Sequence, residues 1–448
     1  MEKVAAKVKK TMPVDRESCK KEDDKVPMFF VREHRLIHLL MAYLCTGLLF
    51  MIVPGTLLGV VNLFTIGGQH APASVSPAWV QAHGHAQLMG WLGSFILGIG
   101  FYSIPNLRKV VAFSFWEGWA SLLLWSSGVW MRWVALIYEW HWRLLLPLSA
   151  LFELCAVAIF LALTISGHRR QSSPHRRVSP WAVLVIAGTA GLALYSLLNF
   201  LIAWHLSILG NSPVFPKEVN SRMIVLAAWG FVVPVAFGFT VKWLPVLLGL
   251  KADSERGLLC ALVLNVCGIT AFFAGLQLLA AILLLLASCL FVWSARLFHK
   301  RISAAKTSGV SPAFPHFVVA AYLWLLIANI LSCIAAVSGG DGFSGAARHA
   351  ITVGFMSTMV FAVGPRLLPA FLGRKGIFSS GLMTAALSIL SLGCALRVVS
   401  QSLAYQGLAP WAWALLPVSA TLELIAFLSF AGNMLLTFRT PHLMPLKR

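Results

Sequence analysis

Two histidines, His83 and His85, stand at the head of a long apolar stretch that reads AHGHAQLMGWLGSFILGIGFYSIP. A third, His349, stands at the head of a second such stretch, RHAITVGFMSTMVFAVGPRLLP. An ionisable side chain inside an apolar helix is costly to bury, so its presence points to a function. Neutral imidazole is a good ligand for iron and copper. The three histidines are therefore candidate ligands of a metal or a metal-containing cofactor.

The two apolar stretches are copies of one pattern. Both read H-A-x3-G-x9-G-x4-P, with His85 equivalent to His349, and PLSALFEL (147–154) later resembles PVSATLEL (417–424). The stretch between them, VLAAWGFVVPVAFGFTVKWLP, keeps Gly230 and Pro245 but has Val225 in place of histidine. A pattern that returns in this way predicts three units of four helices each, with equivalent second helices.

Equivalence in the repeat places His85 and His349 at one depth, near the same membrane surface. Two neutral imidazoles at one depth can hold a haem iron between them, so we expect a bis-histidine haem b. The alternative is that each histidine only hydrogen-bonds a neighbouring carbonyl group. His83 lies about 200° from His85 around the helix, so its side chain must point toward a different site. There it would meet a second haem, a metal such as copper, a substrate pocket or lipid headgroups and water.

Other charged residues could serve such a site. Arg143, Arg348 and Arg397 are candidates to bind haem propionates, because arginine pairs with carboxylates in a bidentate manner; each could instead be an ordinary interfacial arginine. Three glutamates inside apolar spans could deliver protons, or could bridge helices in the protonated form: Glu117, Glu153 and Glu423.

The elements that position these residues are membrane helices. Of 448 residues, 59% are hydrophobic and only 11% are charged, which excludes an ordinary soluble domain. About twelve stretches are long enough to cross a bilayer as helices, which predicts an all-α polytopic membrane protein. The net charge of +20 is concentrated in alternate loops and the tails, so it indicates topology and not nucleic-acid binding. By the positive-inside rule both termini are cytoplasmic.

This pattern divides the chain into three parts. Residues 1–35 form a basic cytoplasmic tail without an evident signal peptide, residues 36–438 form the transmembrane domain, and residues 439–448 form a second cytoplasmic tail. The eight cysteines include no C-x-x-C-H or paired C-x-x-C motif, so we expect neither a thioether-linked haem nor a thiolate zinc site.

The motifs resemble those of the NnrS family. The resemblance lies in H-G-H (83–85) and in HAITVGFMSTMVFAVGPRLLPAFLGRK (349–375), with AYLWLLIA (321–328) and GFTVKWLP (238–245) in support. It implies a bacterial inner-membrane protein that contains haem and copper and is linked to nitric oxide metabolism and protection against nitrosative stress. It also implies a distant relation to the catalytic subunits of haem-copper oxidases and nitric oxide reductases, which have twelve helices in a pseudo-threefold arrangement. His83, His85 and His349 are the positions it singles out.

The sequence also departs from these relatives. The sixth span has Val225, the seventh has no histidine, and the tenth has only His349, so an oxidase-type binuclear centre is not expected. Lys242 stands where the family usually has arginine, and Ala86 stands where many members have glutamate.

Two functional hypotheses follow. The first is a haem protein, oxidoreductase-like, that binds or reduces nitric oxide or another small gas, with electrons from quinol or an external donor. The second is a membrane transporter, or a protein that handles haem or metal, without redox turnover. A haem spectrum of the purified protein distinguishes them.

Overall fold

The computed structural model describes residues 25–108, 115–169, 178–251, 254–339 and 341–439. These residues form helices and no strands. Twelve of the helices are long and apolar enough to cross a membrane, which confirms the prediction of an all-α polytopic membrane protein. They are α1 (His34–Gln69), α2 (Pro77–Ile104), α3 (Phe115–Ile137), α4 (Trp142–Leu163), α5 (Pro180–Leu209), α6 (Lys217–Leu248), α7 (Glu255–Phe273), α8 (Gln277–Ser294), α9 (Phe314–Ser338), α10 (Asp341–Phe371), α11 (Ser380–Tyr405) and α12 (Ala412–Arg439).

Most of the predicted tails lie outside the described residues, as does the basic loop at 170–177. Within the described residues, the helix of α1 begins at Lys25, and the helices of α2 and α4 continue to Arg108 and Arg169. Local sequence signals mark several helix ends. Ser76 accepts a hydrogen bond from the Ala78 amide at 3.2 Å, and α2 then starts at a proline, which suits a first helical turn.

The second helix of each predicted unit contains a π-helical segment at the same place. The segments are Ala86–Gly93 in α2, Leu226–Val232 in α6 and Ala350–Ser357 in α10, and the residues just before them are His85, Val225 and His349. The weak sequence match of the sixth span is therefore supported by its backbone. Short π-helical segments are uncommon and often occur at functional sites.

Each π-helical segment also carries an equivalent glycine, and the first helix of its unit packs there. A Cβ atom at Gly90 would meet Phe50 of α1, and one at Gly354 would meet Trp324 of α9. In the middle unit, α5 approaches even more closely, because a Cβ atom at Gly191 would collide with the Gly230 carbonyl. The absence of a side chain at these positions lets the paired helices touch.

The units α1–α4, α5–α8 and α9–α12 form a closed ring. The last helix of each unit packs against the first helix of the next: α4 on α5, α8 on α9, and α12 on α1. The second helices lie innermost. In the most apolar stretches of α2, α6 and α10, 67%, 72% and 67% of residues are buried, against at most 50% in the other spans. The central position of α2 and α10 brings their histidines into the protein interior.

Candidate functional site

His83 and His349 lie near each other where α2 and α10 begin, at the end of the bundle that we call the histidine end. The Nδ1 atom of His83 donates to the Gly55 carbonyl of α1 at 2.9 Å, and Nδ1 of His349 donates to the Gly345 carbonyl at 3.1 Å. The two imidazoles are within electrostatic reach of each other. Both rings are half-buried.

These hydrogen bonds fix the tautomer of each ring. A carbonyl oxygen only accepts, so the proton of a neutral ring must be on Nδ1, which leaves a lone pair on Nε2. Neither Nε2 atom bonds to a residue that the structure describes. A ligating histidine usually donates from its other ring nitrogen to a carbonyl or carboxylate group. Both histidines are therefore oriented as metal ligands are, with Nε2 available.

Two arginines accompany this pair. Arg397 of α11 is buried and lies within electrostatic reach of Tyr405 and of both histidines. Its Nε and Nη1 atoms are buried without a hydrogen-bond partner. Arg348 also acts electrostatically on His349 and remains exposed. Unpaired donors on a buried guanidinium are costly, and an anionic ligand would satisfy them.

His85 faces a different set of residues. Its Nε2 atom lies 2.7 Å from Oε1 of Glu153 on α4, and its Nδ1 atom lies 3.4 Å from the Tyr195 hydroxyl on α5. The His85 and Glu153 side chains are 5% and 0% exposed. Both ring nitrogens are thus engaged, so His85 would have to break an existing hydrogen bond to ligate a metal.

Arg132 of α3 completes the His85 cluster. It acts electrostatically on His85 and Tyr195, and its Nη1 atom donates to Oδ1 of Asn199 at 2.7 Å. Four buried atoms of this cluster have no protein partner: Arg132 Nε, Glu153 Oε2, Ser196 Oγ and Asn199 Nδ2. Buried polar groups of this kind are commonly bridged by ordered water.

The loop before α6 covers this cluster. The ring of Phe215 lies under the Arg132 guanidinium, 4.5 Å from its centroid. Gln81 of α2 holds the Phe215 backbone in place: its amide donates to the carbonyl at 2.8 Å and its oxygen accepts from the backbone amide at 3.0 Å. A stacked guanidinium of this kind is stabilised by the face of the ring.

The structure thus places His349 within electrostatic reach of His83 and Arg397. His85, which the repeat predicted as the partner of His349, instead contacts Glu153 and Tyr195. The reason is rotational. His85 faces α3, α4 and the first helix of the next unit, α5. The equivalent residue, His349, must face α11, α12 and the next unit around the ring, which begins with α1. His83 lies on the other side of α2 and hydrogen-bonds α1, so it reaches that same cleft. The prediction that His83 and His85 address different sites agrees with these contacts.

The remaining predicted residues fall in different places. Arg143 donates to the Ser207 and Gly210 carbonyls at the end of α5, at 3.0 and 2.9 Å, and is already engaged there. Glu423 is buried near Arg397, with its Oε1 atom unpaired. Glu117 lies in the first turn of α3, at the opposite end of the bundle.

A second repeated motif escaped the sequence reasoning. Gly128 and Arg132 on α3 correspond to Gly393 and Arg397 on α11, in the pattern G-x3-R. A Cβ atom at Gly128 would lie 2.9 Å from Cγ of Glu153, and one at Gly393 would lie 3.0 Å from Cγ of Glu423. The first and third units therefore each pack a glutamate on this glycine. The spacing was visible in the sequence and marks Arg132 as the counterpart of Arg397.

The described residues contain no group of three His, Cys, Asp or Glu side chains arranged to hold a metal ion. Three other histidines have separate surroundings: His70 stacks on Trp413, His141 packs on Trp140, and His205 is exposed. A free copper ion held by three side chains does not fit this part of the chain. A haem needs only two imidazoles and partners for its propionates, and His83, His349 and Arg397 fit that requirement.

Part of this site lies in a segment that matches a known family model. Residues 246–438 match a family model described as a domain of unknown function, DUF8744. The matched segment runs from the end of α6 through α12, so it includes His349 and Arg397 but neither His83 nor His85. No curated protein matches the chain.

Proposed function

We propose that this chain is a haem-binding membrane protein in which His83 and His349 hold one haem b. The observation that carries the proposal is the orientation of the two rings, each with Nδ1 bonded to a backbone carbonyl and Nε2 available, beside a buried arginine with unpaired donors. A protein of this kind is oxidoreductase-like, because haem iron supplies one-electron redox chemistry.

The chain's own residues would orient and shield this group. The Gly55 and Gly345 carbonyls hold the imidazoles in the Nδ1–H tautomer. Arg397, and Arg348 at the entrance, would bind the propionates and fix the orientation of the macrocycle. The half-buried position removes part of the surrounding water, which strengthens these ionic contacts.

The NnrS resemblance supplies the finer proposals. We propose that the ligand or substrate is nitric oxide, and that the protein serves nitric oxide metabolism or defence against nitrosative stress. If His83 and His349 both hold the haem iron, nitric oxide would have to displace one of them in order to bind. From the positive-inside pattern we also propose that the histidine end faces away from the cytoplasm and that both termini are cytoplasmic. From the resemblance we propose that the membrane is the bacterial inner membrane.

The test is a reduced-minus-oxidised absorption spectrum of the detergent-purified protein. We expect b-type bands that are lost or changed to a five-coordinate form in His83→Ala and in His349→Ala. His85→Ala is the matched control, because it removes a histidine two residues away that is engaged elsewhere. A second spectrum, recorded under nitric oxide, tests whether this gas binds to the haem.

Three results would overturn these proposals. Absence of haem from the wild-type protein would refute haem binding and favour the transport or metal-handling hypothesis. Loss of the bands in His85→Ala, with retention in His83→Ala, would restore the pairing that the repeat predicted. An unchanged spectrum under nitric oxide, in both redox states, would refute nitric oxide as the ligand while leaving the haem in place.

A further inference from the structure

A pocket lies between α2, α4, α5 and α6, at the end of the bundle opposite the histidines. About 590 Å³ of empty space lies between its walls, a figure that includes space open to solvent. Trp181, Val185, Thr189 and Leu192 follow one another along one face of α5 and line it for a length of roughly 16 Å. The pocket is thus long and, apart from a few groups, apolar.

Lys242 of α6 is the charged residue among those that line the pocket. Its Nζ atom lies 4.9 Å from the ring centroid of Trp181, and it makes no hydrogen bond or ion pair to any residue that the structure describes. A second polar group, the hydroxyl of Ser103, lines the same pocket and is buried without a partner. A cation within a membrane span that has no carboxylate partner among the described residues is suited to binding an anion.

We propose that this pocket, hereafter the Lys242 pocket, binds an anionic phospholipid. One acyl chain would lie along the α5 face, and the phosphate would rest on Lys242. Basic pockets between transmembrane helices at the cytoplasmic side are suited to anionic headgroups. The positive-inside pattern predicts that this end of the bundle is cytoplasmic.

The shape and position of the pocket favour a lipid over the quinol considered as electron donor. An acyl chain matches a pocket whose lining continues for roughly 16 Å along the α5 face, whereas a quinone ring needs a broad apolar slot. The α2 residues that line the pocket begin at Ile96, 13 residues or roughly 20 Å along the helix from His83. The Lys242 pocket is therefore separate from the proposed haem site, and its occupant does not depend on haem binding.

The test is native mass spectrometry of the full-length protein in mild detergent. Delipidated protein is titrated with phosphatidylglycerol, and with phosphatidylcholine as a zwitterionic comparison. We expect retention of one phosphatidylglycerol in preference to phosphatidylcholine. Lys242→Gln should weaken this binding about fivefold, which corresponds to the ~1 kcal/mol that one basic residue contributes near anionic lipid. Lys242→Arg should preserve it.

Matched variants separate the pocket from general effects. Lys300→Gln removes an exposed lysine of a loop at the same end and should leave binding unchanged. Thr189→Phe fills the Lys242 pocket and should abolish binding. Thr270→Phe is its control and should have no effect. Thr270 is exposed on α7, and its hydroxyl donates to the carbonyl four residues earlier, as that of Thr189 does.

Equal retention by the Lys242→Gln and Lys300→Gln proteins would overturn the proposal, as would equal retention of the two lipids by the wild-type protein. Copurification of a quinone that Thr189→Phe removes, with phosphatidylglycerol binding unaffected, would assign the pocket to the quinone instead. Circular dichroism melting of each variant establishes that it is folded.

Discussion

The variant Gly59→Ala adds a single methyl group to α1 and should displace the His83 side chain without changing the fold. A Cβ atom at Gly59 would lie 2.7 Å from Cε1 and 3.0 Å from Nδ1 of His83. Ordinary contact between carbon atoms begins near ~3.5 Å, so the ring must move by about 1 Å. Such a movement breaks or weakens the 2.9 Å hydrogen bond to the Gly55 carbonyl.

The size of the effect follows from that bond. A hydrogen bond of this type contributes about 1 kcal/mol, which is roughly fivefold in an equilibrium constant, and loss of a partner that orients a metal ligand costs about 10- to 100-fold in affinity. We therefore expect Gly59→Ala to lower haem affinity by between about five- and 100-fold. Alanine is the better helix former by about 1 kcal/mol, so the thermal stability of the protein without haem should not fall.

The assay is a titration of haem into the haem-free protein in detergent, in which the absorbance of bound haem is measured at each step. Gly68→Ala is the matched control, because it lies on the same helix with nothing within 4 Å of its would-be Cβ atom. Equal haem affinities of the wild type, Gly59→Ala and Gly68→Ala would refute the reasoning that Gly59 positions His83. Failure of all three to bind haem would instead refute the proposed function.

Three further predictions concern stability. Gly128→Ala forces a Cβ atom to within 2.8 Å of a backbone carbonyl and should destabilise the protein by about 1–3 kcal/mol, whereas Gly432→Ala, with open space around it, should be neutral in the same unfolding measurement. Glu153→Ala leaves a buried imidazole without its 2.7 Å partner and should cost about 3 kcal/mol; a change below ~1 kcal/mol would show that the pair is unimportant for stability. The Lys217–Asp341 ion pair, 73% exposed on both sides, should contribute less than ~1 kcal/mol, so Lys217→Ala should shift the melting temperature little at any salt concentration.

The number of membrane spans could be read from the sequence. The hydrocarbon core of a bilayer requires about 20 apolar residues per helix, and this requirement is local to each segment. The repeat was equally accessible, because copied units keep glycines where helices must touch, such as Gly90 and Gly354. The sequence therefore sufficed to place His85 and His349 at equivalent positions, and the G-x3-R pattern could have added Arg132 and Arg397.

Only the tertiary structure decided which histidines face the same cleft. Equivalent residues in a ring of repeated units point into equivalent clefts, and these clefts are different places in the molecule. His85 therefore meets Glu153 and Tyr195 between the first and second units, while His349 faces the cleft between the third unit and α1. His83, which has no counterpart in the repeat, reaches that cleft because it lies on the opposite side of its helix and hydrogen-bonds Gly55. Helical periodicity fixed the angle between the His83 and His85 side chains. The packing of the three units into a closed ring determined which residues surround each of them.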